Sequence, residues 1–244
     1  MKWIFRKFGY LLGYLLFSVG LIKPEPSVAA DPKPSVEVAF GYKSTWFAVP
    51  STDTQRVFEA FGLTDPNTAN WSDGIAFAYS GNERPKNSAV FVTPPYAGWS
   101  FVITGFRYSA DSPDNIVALH ERLKALSDTF GEAQYFGSYR VVDYVAWYKA
   151  QNGQIIRGFS FADGTLYENT GPTTKAELAI GLFDMTGMDE GALWDFLLAA
   201  ENSGQLIYFD ESDPMRIAER WSVAQPTSTQ MSNKAGSGMT GTLP

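Results

Sequence analysis

The spacing of apolar residues predicts strands and helices in alternation along most of the chain. Short apolar runs at 44–49, 74–80, 89–93 and 99–106 are typical of strands. From Ser112 to Phe130 the apolar residues recur at helical spacing, with Ser112 as the cap and Pro113 in the first turn. Further helices are predicted after a capping box at Thr52 and Gln55, within 189–204 and within 210–223, with a short element at 175–182.

The Asn152-Gly153 dipeptide predicts a tight hairpin, because it accepts positive φ at both central positions of a type I′ turn. A two-residue loop also fixes the register, so that Tyr148 should lie opposite Arg157 and Trp147 opposite Gly158. We therefore expect a cation–π pair between Tyr148 and Arg157, worth about 0.5–1 kcal/mol if exposed. In the same register, the Trp147 ring should cover the space above the glycine.

This order of elements predicts an α+β fold with a mainly antiparallel sheet packed with three or four helices. The sequence strand, helix, three strands, then helix and hairpin suggests two similar halves. We assign the globular domain to 37–224. The Pro-rich stretch 23–36 is typical of a stiff linker, and the polar segment 225–244 predicts a disordered tail.

Residues 1–22 combine a basic start with an apolar stretch, which indicates export. Val28 and Ala30 supply the small residues of a signal-peptide cleavage site, although Lys23 and Glu25 are unusual so close to it. If cleavage does not occur, the same segment would serve as an N-terminal membrane anchor. Both alternatives have this segment engage the membrane or the export machinery, and both place the body in the periplasm or anchored facing it.

The charge and the chemical inventory exclude several classes of function. The net charge of −7 disfavours binding to nucleic acid and favours a basic protein partner. The absence of cysteine excludes thiol catalysis and thiolate metal sites, and a single histidine excludes sites built from two imidazoles. No calcium-loop or nucleotide-loop spacing occurs, so we expect neither a metal nor a cofactor.

The ring-rich run GEAQYFGSYRVVDYVAW contains the best candidates for a binding surface. In a regular strand Arg140 and Asp143 would point to opposite faces, so one of them would need an interior partner; alternatively the strand ends there. His120 lies on the apolar side of its helix and is expected to pack rather than to catalyse. Because aromatic residues and arginine dominate interface energetics, the predicted binding residues are Tyr135, Arg140, Asp143, Tyr148 and Arg157.

Several motifs, including WSDGI, YAGWSFV, FGEAQYF and YRVVDYVAW, resemble an uncharacterised bacterial protein family with an FGEAQ-F strand and an AWA hairpin. The resemblance covers most of 40–224 and implies an immunity-type protein that occludes a toxin.

The leading hypothesis is therefore an exported, non-enzymatic binding protein for a basic partner in the bacterial envelope. One alternative is an envelope hydrolase for a cell-wall or glycan substrate, with Glu132 and Asp143 as acid and base. Another is an accessory domain tethered to the inner membrane.

Overall fold

The computed structural model describes residues 40–80, 88–232 and 236–244. The predicted segments 1–22 and 23–36 lie outside these ranges. The strands are β1 (Ser44–Val49), β2 (Thr64–Ala69), β3 (Ala89–Val92), β4 (Ser100–Ile103), β5 (Glu132–Tyr139), β6 (Tyr144–Gln151), β7 (Gln154–Ala162), β8 (Thr165–Thr170) and β9 (Gly238–Thr242). The helices are α1 (Thr54–Ala60), α2 (Trp71–Ser80), α3 (Pro113–Phe130), α4 (Lys175–Ala179), α5 (Glu190–Asn202), α6 (Asp213–Trp221) and α7 (Ser228–Ser232).

The nine strands of the described residues form one antiparallel sheet in the order β2-β9-β3-β4-β1-β5-β6-β7-β8. The predicted α+β class with a mainly antiparallel sheet is confirmed. A relation between two halves stays a prediction. Within the described ranges, no helix combines the length and the apolar composition needed to cross a bilayer.

Helices cover both faces of the sheet, because successive side chains of each strand point to opposite sides. In β1, Phe47 and Val49 face the layer of α1 and α3, where Leu119, Leu123 and Leu126 are buried. Trp46 and Ala48 face the other layer, which contains α2, α4, α5 and α6. The sheet is therefore the middle of three layers, and its central strands β3, β4, β1, β5 and β6 are largely buried.

Helix α3 forms as its sequence predicts. Ser112 accepts a hydrogen bond from the backbone N–H of Asn115 at 3.3 Å, and Pro113 occupies the first turn. Gly131 ends the helix with φ 82°, a conformation that favours glycine. Strand β5 starts at the next residue, so α3 leads directly into the ring-rich run and lies over it.

The predicted strand at 74–80 is wrong, because this segment belongs to α2. Asn70 accepts a hydrogen bond from the N–H of Asp73 at 2.9 Å and caps the helix. Trp71, Gly74 and Ala78 then form the buried face. A Cβ at Gly74 would lie 2.2 Å from the ring of Phe91, so the glycine allows α2 to approach β3 closely.

The expectation of a disordered tail after residue 224 does not hold for Gly238–Thr242. This segment is β9, and it pairs with β2 on one side and β3 on the other. Its small residues fit beneath the helices, since a Cβ at Gly241 would lie 2.6 Å from the ring of Phe58. Strand β2 was also not predicted, because TDPNTA is polar and carries exposed side chains.

Candidate functional site

The turn between β5 and β6 projects two apolar side chains into solvent. Strand pairing ends where Tyr139 faces Tyr144, and Arg140–Val142 form a single 3-10 turn. Asp143 closes the turn in the left-handed conformation, with φ 47° and ψ 31°. The Val141 and Val142 side chains are 68% and 42% exposed as a result. The alternative that the strand ends at Arg140 is therefore the correct one.

Two other segments meet this turn. The backbone N–H of Asp163, in the β7–β8 turn, donates to the carbonyl oxygen of Val142 at 2.8 Å. Glu211, in the loop between α5 and α6, lies 4.0 Å from Arg140. We call the group formed by Arg140, Val141, Val142, Asp143, Asp163 and Glu211 the turn surface.

The turn surface is electrostatically negative. Partial burial raises the pKa of Asp143, and the neighbouring carboxylate of Asp163 raises it further. Burial also raises the pKa of Tyr42, with added contributions from the carboxylates of Glu211 and Asp210. In the part of the chain that the structure describes, no Lys or Arg forms an ion pair with Asp143 or Asp163. Their charge is therefore uncompensated within the described fold.

Exposed apolar side chains concentrate at the turn and in the loop that reaches it. Four of the seven large hydrophobic residues that are exposed in the described ranges lie in these two segments: Val141, Val142, Leu206 and Tyr208. The loop is fixed to the sheet because the ring of Phe209 packs 5.3 Å from that of Phe161, near the end of β7. The remaining three, on α3, α4 and β7, stand singly along the chain, as is normal for surface residues.

Tyr135 and Tyr148 do not belong to the turn surface, because both are fully buried beneath α3. The Tyr135 hydroxyl donates to the carbonyl oxygen of Tyr108 at 2.6 Å and lies 2.8 Å from the Tyr144 hydroxyl. Burial raises the pKa of each of these phenols, so they stay neutral. They stabilise the packing between the sheet and α3, and a partner cannot contact them in this arrangement.

Arg157 is also buried, on the opposite face of the sheet. Its Nη2 lies 2.7 Å from Oε1 of Glu177, in a pair whose side chains are 1% and 0% exposed. Its Nη1 donates to Asn169 Oδ1 at 2.7 Å and to three backbone carbonyls. The Trp147 indole N–H donates to the same Glu177 oxygen at 2.9 Å. Arg157 therefore connects β7, β8 and α4, and sequence reasoning missed its partner Glu177.

A bulge at Ile156 changes the register of the β6–β7 hairpin. Asn152 and Gly153 both have positive φ, as predicted, but beyond the first pairs Lys149 faces Arg157 and Tyr148 faces Gly158. The predicted pairing of Tyr148 with Arg157 is wrong, as is that of Trp147 with Gly158. Tyr148 covers the glycine instead, because a Cβ there would lie 2.9 Å from its ring.

His120 packs as predicted and has a partner that the sequence did not indicate. Its Nε2 lies 3.0 Å from Oε2 of Glu168 on β8, and its ring lies edge-on to Tyr148. Burial by itself would raise the pKa of Glu168, but hydrogen bonds from His120 and Thr170 lower it. The His120–Glu168 contact therefore connects α3 to β8, the last strand in the sheet order.

Glu132 and Asp143 are too far apart to act as an acid–base pair. Glu132 begins β5, whereas Asp143 follows its other end, about 23 Å away at roughly 3.3 Å per residue. Carboxyl pairs in glycosidases lie within about 10 Å. Glu132 instead bonds Lys149 Nζ at 2.9 Å and Gln151 Nε2 at 2.9 Å. Burial would raise the pKa of Glu132, but these bonds lower it.

The turn surface combines charged and apolar side chains. Its side chains offer three carboxylates, one guanidinium and two valines. Across the described residues, no group of three or more His, Asp or Glu side chains is arranged to hold a metal ion. Comparison with protein-family models, with curated proteins and with solved structures finds no match to this chain.

Proposed function

We propose that this chain is a non-enzymatic binding protein that engages a basic protein partner through the turn surface. The observation that carries the proposal is the exposed Val141–Val142 pair, held on a hairpin end beside the uncompensated carboxylates of Asp143 and Asp163. Contiguous exposed apolar surface that is rimmed by polar residues marks interaction sites, whereas single exposed apolar residues are normal.

The geometry of the turn favours tight binding. The last strand pair of the hairpin and the hydrogen bond from Asp163 to Val142 hold the backbone of the turn on two sides. A segment that is already ordered loses little conformational entropy when a partner binds, so more of the contact energy appears as affinity. Arg140 adds a positive charge at the rim that a partner can reach, since its side chain is 66% exposed.

The charge of the protein favours a basic partner. A net charge of −7 steers cationic proteins toward the chain and speeds encounter, most strongly at low salt. At the turn surface itself, a partner cation would relieve the repulsion between Asp143 and Asp163.

The role that fits these features is an immunity-type protein that occludes a toxin in the bacterial envelope. The basic, apolar N-terminal sequence and the resemblance of the FGEAQYF and YRVVDYVAW motifs support this location and role.

Site-specific photo-crosslinking in the organism that encodes the chain tests the proposal. A photoreactive phenylalanine analogue replaces Val141 in one strain and Val117 in another. Val117 is the matched control, because it is a 57% exposed valine on α3, outside the turn surface. We expect position 141 to yield a discrete crosslinked product that contains a basic exported protein, and position 117 to yield none.

Two results would contradict the proposal. One is the absence of any discrete product at position 141 under conditions in which the protein is stably produced. The other is the same product with the same yield at both positions, because that would indicate random collision. Replacement of Asp143 and Asp163 by asparagine in the strain with the label at 141 should reduce the yield of the specific product.

A further inference from the structure

We propose that the partner inserts one cationic side chain, from lysine or arginine, between the carboxylates of Asp143 and Asp163, and covers Val142 with an adjacent apolar residue. This inference rests on the proposed function and specifies the chemistry that the turn surface recognises. A short segment with a basic residue beside an aliphatic or aromatic one would satisfy it.

The positions of the two carboxylates support this assignment. Asp143 and Asp163 close adjacent turns, each with φ 47°. The hydrogen bond from the N–H of Asp163 to the carbonyl oxygen of Val142 joins those turns directly. The two aspartates and the exposed Val142 therefore lie on adjacent, directly bonded turns, and the carboxylate of Asp163 is close enough to raise the pKa of Asp143.

A cation that pairs with Asp143 or Asp163 would have to come from outside the described residues, since no Lys or Arg there forms an ion pair with either. Arg140, the basic residue in the same turn, is directed toward Glu211 at 4.0 Å. Partial burial raises the pKa of Asp143, and the carboxylate of Asp163 raises it further, with no opposing effect from a cation in the described ranges. A cationic side chain between the two would replace repulsion with two charge-assisted hydrogen bonds.

A divalent metal ion is a poorer occupant than a basic side chain. Calcium takes six to eight oxygen ligands as a rule, whereas the described residues bring no third acidic or histidine side chain to this place. A metal ion would also leave Val141 and Val142 uncovered. A peptide segment can satisfy the carboxylates and bury the valines together.

Selection of a random peptide library displayed on phage, against the full chain purified in mild detergent, tests the inference. We expect the enriched peptides to carry Lys or Arg next to a large apolar residue. The Kd of these peptides should rise about tenfold or more for the Asp143→Asn/Asp163→Asn double variant. Glu121→Gln/Glu201→Gln is the control, because it removes two exposed acidic charges elsewhere and should leave the affinity nearly unchanged.

The outcomes separate this inference from the proposed function. In one outcome, Val141→Ser/Val142→Ser abolishes binding, but the enriched peptides lack basic residues or keep their affinity for the double asparagine variant. That result would refute the inserted cationic side chain and support the turn surface as the binding site. If neither pair of substitutions affects binding, the surface itself is refuted. Enrichment that depends on added Ca²⁺ would favour the metal ion and contradict the basic side chain.

Discussion

The guanidinium of Arg157 and the carboxylate of Glu177 form an ion pair that is closed to solvent, with 2.7 Å between Nη2 and Oε1. The same carboxylate accepts hydrogen bonds from Trp147 and Thr174, and it completes the capping box of α4. Each polar atom of the pair is thus occupied, which is what burial of two charges requires. The arginine that the sequence marks as a contact residue is a structural residue.

Replacing Arg157 by Ala should destabilise the fold by about 3–5 kcal/mol, because Glu177 would be left buried without its cation. Urea unfolding, followed by circular dichroism, measures the change in the free energy of unfolding. The matched control is Arg140→Ala, which removes a 66% exposed side chain and should cost about 0–1 kcal/mol. Equal costs for the two variants would contradict the structural role of Arg157.

Close packing of α2 against β3 gives a second prediction. Gly74→Ala places a methyl group where the Phe91 ring lies, at 2.2 Å from the Cβ position, and should cost about 1–3 kcal/mol. Gly191→Ala is the control, because it is also helical and its nearest neighbour is a side-chain oxygen at 3.4 Å. That change should stabilise the protein by about 0.5–1 kcal/mol, since alanine favours helix. Thermal unfolding compares the two, and a neutral Gly74→Ala would refute the close contact.

Local signals account for the elements that the sequence predicts correctly. The Ser112 cap, the proline after it and the helical spacing of leucines define α3 without help from the rest of the chain. The Asn152-Gly153 turn also forms as predicted, since its positive φ values are a property of those two residues. The bulge at Ile156 is different, because it places Arg157 on the same face of the sheet as Trp147, where its partner Glu177 comes from a distant segment.

The elements that were missed depend on contacts between distant segments. Strand β9 has no apolar alternation, because its glycines lie under the rings of Phe58 and Phe91. The alternation of Ile75, Phe77 and Tyr79 resembles a strand, yet the buried face of α2 uses other positions. In the candidate site, Arg140 and Asp143 are identifiable from the sequence, because they are charged residues within a ring-rich run. Asp163 is not, because only the pairing of the strands places it beside Val142.

The carboxyl pair at the turn surface predicts a specific response to pH. Asp163→Asn should lower the pKa of Asp143, because it removes the repulsive charge, whereas the part due to burial remains. A raised pKa in the folded state means that the folded protein holds the proton more tightly than the unfolded chain. Asp143 therefore destabilises the fold above its folded pKa, and this cost disappears as the pH falls toward the unfolded pKa. Titration of the side-chain carboxyl by NMR measures the shift, and an unchanged pKa would show that the two carboxylates do not interact.

The pairing of β9 between β2 and β3 predicts that the C-terminal residues are essential for folding. Removal of residues 237–244 takes away the partner of both strands and the buried side chain of Leu243. It leaves the β3 backbone unpaired on one side, so we expect loss of cooperative thermal unfolding and rapid cleavage by protease. Removal of Pro244 alone is the control, because this exposed residue lies outside the strand and its loss should have little effect. A truncated chain that unfolds cooperatively at the temperature of the full chain would show that β9 does not contribute to the sheet's stability.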